Sequence, residues 1–337
     1  MKTIIRLAVL ALAGTSALAL AGNALATQKL SVQQTTTSLT IKVSQAQSDS
    51  QPARISIYVP SGYSINASAA PGTRIGSTSG TVFSRDANIP LPLSGDVIVV
   101  PPTTNAPGCD PVPHIAVWNL ALSVAGQSIN LPVHVDQLSG AEAALGAYKL
   151  VVCLAPDDIP VGTPGRSPNG ARLLDATFTV NNVFTVPAGQ AIWKAITTPY
   201  AAGKGAPNAA ATVETRAFVA NGTISLRKAV NAKKRLVRFS GSVTQAGTGV
   251  AGARVTMLLN GKSSKFTART NAAGNYSVVL KKTGKKSTST FQARTVVAER
   301  DITSVGCASP TPGVPGGCVS ATASPFTAVS AKIRIRI

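Results

Sequence analysis

Two histidines, His114 and His134, are the chain's whole supply of imidazoles, the side chains that change charge near neutrality. In His134-Val135-Asp136 an imidazole and a carboxylate fall on one face of an extended segment, and Asp110 stands shortly before His114. Nitrogen and oxygen donors in that pattern suit zinc or calcium. They define one catalytic alternative, an extracellular metal-assisted hydrolase using His114, His134 and Asp136. The ligand count is short for either ion, so the expectation is a strand ending in polar residues, with no metal and no other cofactor.

Other fragments with chemical connotations are weaker. Asp157-Asp158 pairs two carboxylates, but adjacent residues of an extended chain diverge and these follow Pro156, which predicts a solvated turn. Ser225-Leu226-Arg227-Lys228 has the SxxK spacing of penicillin-interactive serines, and Lys282-Thr283-Gly284 has the matching KTG. In that chemistry the serine starts a helix, which puts its lysine one turn away. Ser225 falls in a β-pattern, and too little chain separates the fragments for such a domain. GxSxG, HExxH and phosphate-cradling glycine loops are absent. The sequence therefore reads as noncatalytic.

Charge gives a stronger signal. Residues 27–198 hold nine Lys or Arg and nine Asp or Glu, whereas residues 199–337 hold 21 against 3. A field of that sign attracts polyanions. The clusters expected to bind them are Lys233, Lys234 and Arg235, then Lys281, Lys282, Lys285 and Lys286 around a glycine, and Arg334 with Arg336 near the end. Teichoic acid, acidic polysaccharide, nucleic acid and anionic headgroups all fit by counterion release. With 8 Phe, 5 Tyr and 2 Trp, aromatic platforms for base stacking or sugar binding are poorly supplied. Sequence-specific nucleic-acid recognition is not expected.

The elements that must present these groups are strands. Period-two alternation marks Leu39 to Val43, Arg54 to Val59, Val97 to Val100, Tyr148 to Leu154 and Thr177 to Phe184. His114 to Asp136 reads as a β-hairpin turning at Ala125-Gly126-Gln127, with Pro132 suggesting an edge. Ser68 to Ser79 and Pro156 to Asn169 read as long irregular insertions. An Ala/Gly/Pro/Thr-rich stretch at 199–222 reads as a linker, with Trp193 packed at the junction before it. Beyond it seven strands are expected, at 223–227, 236–243, 253–259, 265–270, 276–280, 290–298 and 332–337. Alternation there points Val237, Phe239 and Val243 inward and Arg238 outward, with Ile333 and Ile335 inward beneath Arg334 and Arg336.

The opening residues carry Lys2 and Arg6, an apolar run from Leu7 to Leu20 and then Ala24-Leu25-Ala26. This is the three-part pattern of a secretory signal peptide over residues 1–26, with an apolar run shorter than the roughly 20 residues of a membrane span. A secreted or extracellular location, with association to the cell surface, follows as an expectation. Four cysteines in an exported chain suit disulfides, Cys109 with Cys153 and Cys307 with Cys318, if each domain closes its own.

One stretch carries a family likeness. Gly241-Ser242-Val243, Gly247, Val250-Ala251-Gly252-Ala253-Arg254-Val255 and Thr270-Asn271-Ala272-Ala273-Gly274-Asn275-Tyr276-Ser277 resemble the carboxypeptidase-regulatory-like family of bacterial β-sandwich modules, over about residues 233–300. The resemblance implies an immunoglobulin-like or transthyretin-like sandwich used as a spacer, stalk or adhesion module without catalysis. The expected whole is all-β, with two β-sandwich domains: a neutral one at 27–198 with long loops, and a basic one at 223–337. Its expected role is a noncatalytic, envelope-associated binding or adhesion protein. The basic domain would contact an anionic surface polymer and the neutral domain an unidentified protein partner. A purely structural spacer is the remaining alternative.

Overall fold

The computed structural model describes residues 28–104, 108–111, 113–187, 189–231, 233, 236–281, 287–303 and 320–336. Among them the chain is built of strands and contains no α-helix. The first lobe comprises β1 (Lys29–Gln34), β2 (Ser38–Ser44), β3 (Pro52–Val59), β4 (Ser64–Ile65), β5 (Arg74–Ser84), β6 (Ile89–Val100), β7 (Ala116–Val124), β8 (Gln127–Gln137), β9 (Tyr148–Cys153), β10 (Ala171–Asn181), β11 (Phe184–Thr185), β12 (Ala191–Pro199) and β13 (Val213–Val219). The second comprises β14 (Gly222–Ile224), β15 (Arg227–Asn231), β16 (Leu236–Gln245), β17 (Thr248–Gly249), β18 (Arg254–Leu259), β19 (Lys262–Arg269), β20 (Asn275–Lys281) and β21 (Thr288–Val297). The chain then makes β22 (Arg300–Thr303) and β23 (Ser320–Ala323) before closing with β24 (Phe326–Val329) and β25 (Ile333–Arg336).

The first lobe differs from the expected two-sheet sandwich. Apart from β4 and β11, which pair with each other, its strands join one continuous hydrogen-bonded path, β1-β2-β10-β5-β6-β7-β8-β9-β3-β12-β13-β23-β22, which rolls until β1 packs against β13 and β23 at the far end. Rolling lets one sheet enclose its own core, so alternate residues of nearly every strand point into a shared apolar interior. Trp118 and Trp193 are fully buried there, with Phe178 and Phe184 against them. Each such side chain contributes about 2–3 kcal/mol on leaving water.

Two expectations are corrected here. The second half of the Ser68 to Ser79 segment, expected as an irregular insertion, belongs to β5, held between β6 and β10. Its glycines are required by proximity: a Cβ on Gly76 would lie 1.9 Å from the Thr179 carbonyl oxygen of β10, and one on Gly80 2.1 Å from that of Asp175. The stretch expected as a linker, 199–222, contains β13, which pairs antiparallel with β12 and parallel with β23. Trp193 accordingly sits in the first core, donating from Nε1 to the Tyr63 hydroxyl at 3.2 Å, and does not mark a junction.

In the second lobe two sheets face each other across one core. β14 and β15 both pair with β16, which also pairs with β17 and β20; the opposing sheet runs β19-β18-β21-β24, with β25 also on β21. Val237 and Phe239 from one sheet meet Val255, Met257 and Ala293 from the other. Gly252 and Gly274 take positive φ, 70° and 78°, at the turns where glycine is expected. There are more strands than the seven expected, partly because the partners of β16 and β21 are each split in two. At one split the Ser330 hydroxyl accepts the Ala293 N–H at 2.9 Å and interrupts β24 and β25.

Candidate functional site

The hairpin β7–β8 does bring the two histidines together. His134 on β8 lies opposite Val117 and Val151, and His114 precedes β7. Their ring centroids are 4.4 Å apart, and His114 Nδ1 meets Asp136 Oδ1 at 2.6 Å. Lys149 of β9, the cross-strand partner of Asp136, sits 3.9 Å from its carboxylate and 3.6 Å from Asp110. The expected Cys109–Cys153 disulfide is present, with Cα atoms 5.7 Å apart. Because Cys153 is the register partner of Arg54, this bridge delivers Asp110 to the Arg54 guanidinium at 2.9 Å. The loop is thereby stapled over the face of β8 that would otherwise meet water.

The result is a packed charge network. His134 is 0% exposed and Asp136 4%. Burial, reinforced by the His114 ring, holds the His134 imidazole below its ordinary value, and burial pushes the Asp136 carboxyl above its own. Among the described residues no group of three or more His, Cys, Asp or Glu side chains is placed to hold a metal ion. The geometry therefore gives no support to the metal-assisted hydrolase: His114, His134 and Asp136 converge, but with one another and away from solvent.

Asp157, expected in a solvated turn, is 1% exposed. Its carboxylate accepts from Arg172 at 2.7 Å and from Arg85 at 3.4 Å, which makes burial tolerable. Asp158 caps the Gly203 N–H at 2.7 Å. Ser225 lies between β14 and β15, bonded to Ser242, and Lys228 donates to the Arg334 carbonyl, so the SxxK fragment is extended backbone. The KTG fragment lies outside the described residues.

The cationic residues divide between the two outer faces of the second lobe. Arg334 and Arg336 alternate outward on β25, whereas Lys281 ends β20 in the opposite sheet, with exposed Lys233 in the turn before β16. Lys234, Arg235, Lys282, Lys285 and Lys286 lie outside the described residues, as do residues 1–26 and Cys307 and Cys318. Register supplies what the sequence reading missed. Arg254 of β18 stands directly opposite Arg269 of β19, and Thr256 next along links Thr267 to Arg294 of β21. Lys265, Arg254, Arg269 and Arg294 are all exposed and share an outward face with Arg334 and Arg336. Single cations spaced along separate strands make no run in sequence, and only the cross-strand register collects them.

No acidic residue occurs on the five strands of that sheet. The two acids of residues 223–337, Glu299 and Asp301, both turn to the first lobe, where Glu299 accepts from Ser31 and Asp301 pairs with Lys29 of β1. Arg334 and Arg336, beside Thr290 and Thr288, lie about 14 and 20 Å along β21 from Arg294. Val296 and Val329, 61% and 49% exposed, stand among the arginines, and no aromatic side chain faces outward there.

No protein-family model matches the chain, residues 233–300 included, and no curated protein matches it. Among solved structures it is similar to a tetra-tandem repeat from the extending region of a large adhesion protein, at 10% identity over 91% of this chain and 98% of that one, with a TM-score of 0.21. It is also similar to a chimeric titin Z1Z2 carrying an exogenous KLER peptide from decorin, at 13% identity over 77% of this chain and 98% of that one, with a TM-score of 0.14. Scores of this size assign neither family nor function. No helix among the described residues is long and apolar enough to cross a membrane.

Proposed function

We propose that this chain is an extracellular, noncatalytic binding protein whose second lobe, an immunoglobulin-like or transthyretin-like module, holds an anionic surface polymer on the outer face of the β19-β18-β21-β24 sheet. One observation carries the reading: Lys265, Arg254, Arg269, Arg294, Arg334 and Arg336 share an acid-free sheet face, and the nearby acids Glu299 and Asp301 are engaged by β1. Like charges directly opposite each other, as in Arg254 and Arg269, cost stability. A surface that carries this cost is suited to a ligand that neutralises it. The Cys109–Cys153 bridge supports an oxidising compartment.

A polymer with regularly spaced phosphates or carboxylates matches a face extending about 20 Å, and affinity should fall steeply as salt rises. The full-length chain, passed over immobilised dextran sulfate and over purified teichoic acid, should be retained at low salt and released by added salt. Arg254→Glu combined with Arg294→Glu should lower the eluting salt concentration by at least half. Lys281→Glu, on the other outer face, should lower it less. Retention that ignores salt, or that survives the double reversal unchanged, overturns the assignment.

A further inference from the structure

Inside the first lobe the rolled sheet leaves a cavity of about 350 Å³. Close-packed interiors hold few voids larger than a water molecule, whereas small-molecule sites begin at roughly 300 Å³. The wall is largely apolar, lined by Ile57 of β3, Leu122 of β7, Leu150 of β9 and Phe178 of β10 among others. Along β7 it follows the inward positions from Leu120 to Val124, about 13 Å by strand rise. At its rim are half-buried Leu131 and exposed Pro168, so the interior has a way in between β8 and the loop before β10.

Two polar atoms on this wall are unsatisfied. The hydroxyls of Ser167 and Thr78, residues 6% and 3% exposed, find no hydrogen-bond partner. Gln51, also on the wall, already spends its amide on the Ala155 carbonyl and the Leu173 N–H. Buried hydroxyls without partners are costly and uncommon, and here they stand where an occupant would lie. No ionisable side chain is on the wall, so an ionised head group would be stranded there.

We propose that this cavity binds an uncharged aliphatic molecule with a hydrogen-bonding oxygen, of the medium-chain alcohol or ester class. Its chain lies along β7 and its oxygen meets Ser167, beside the rim. Neither the histidine network nor the cationic face takes part, so the site is separate from the polymer-binding surface.

The test uses the full-length protein with N-phenyl-1-naphthylamine as a neutral fluorescent probe at pH 7.5. Probe emission should rise saturably, and decan-1-ol should displace the probe at least tenfold better than decanoate. Leu122→Trp, which fills the cavity, should weaken probe binding at least tenfold. Ser167→Ala should weaken decan-1-ol several-fold while leaving the probe nearly unaffected. If Leu122→Trp loses its cooperative thermal transition, Leu131→Trp at the rim gives the same readout in a folded protein. Absence of saturable binding, unchanged binding in a folded tryptophan variant, or equal displacement by decanoate overturns the proposal.

Discussion

His114 Nδ1 and Asp136 Oδ1 approach to 2.6 Å where both side chains are almost wholly removed from solvent, and the His134 ring lies tilted over that of His114. An imidazole held below its ordinary value takes up its proton in the unfolded chain first. Stability therefore falls as the pH drops through about 6.5 towards the lower folded value. The raised Asp136 carboxyl acts in the opposite sense: its contribution is present below about 4 and is lost as the pH rises through the folded value. Urea midpoints measured from pH 7.5 down to 5.5 should decline in the native protein and decline less in His134→Gln. Parallel declines in the two would show that His134 does not set the acid limit.

Asp157 should be a stability residue. Replacing it by Asn leaves Arg172, 9% exposed, beside a neutral amide that cannot balance its charge. Breaking a buried pair from one side costs about 3 kcal/mol or more. Equilibrium denaturation of Asp157→Asn should show a loss of that order, with little change in retention on dextran sulfate.

The Cys109–Cys153 bridge closes a separation of 44 residues, for which loss of unfolded-chain entropy predicts about 4 kcal/mol. The paired serine variant should unfold at correspondingly lower urea. Its stability should also respond differently to acid, because freeing Cys109 withdraws Asp110, a charge that acts on the buried His134 imidazole. An unchanged pH profile in the serine variant would separate the bridge from the histidine network.

A fragment ending at residue 222 lacks β22 and β23, which leaves β13 as an unpaired edge. Unpaired edges recruit other strands. Residues 28–222 alone should associate beyond a monomer in sedimentation experiments under conditions where the whole chain does not.

Strands with strong alternation were legible in the sequence. Leu39 to Val43 lies within β2, Arg54 to Val59 within β3, and the hairpin through Ala125-Gly126 matches β7 and β8, but β8 is not the edge expected from Pro132: it lies between β7 and β9, with Pro132 just past the Val133–Val152 rung. The inward set Val237, Phe239 and Val243 is 0% exposed throughout. β5 was hidden because its register depends on glycines that the β10 backbone demands, and glycine in a sequence reads as a turn. β13 was hidden by small residues on either side of it. The histidine pairing was visible as a candidate, but its burial depends on a loop whose Cys109 is pinned to Cys153, 44 residues further along the chain. The arginine face escaped notice because Arg254, Arg269 and Arg294 come from three strands that alignment alone makes neighbours.

After β21 the chain leaves the second lobe, adds β22 and β23 to the first lobe's sheet, and returns as β24 and β25. Gln245 fastens the crossing by donating to the carbonyls of Ala220 and Ser324 while accepting from Arg300. Tension applied at the arginine face would not pull on a single covalent hinge. It would be shared by the parallel rungs from Thr215–Ser320 to Phe218–Ala323, which must slide past one another together before the lobes can part.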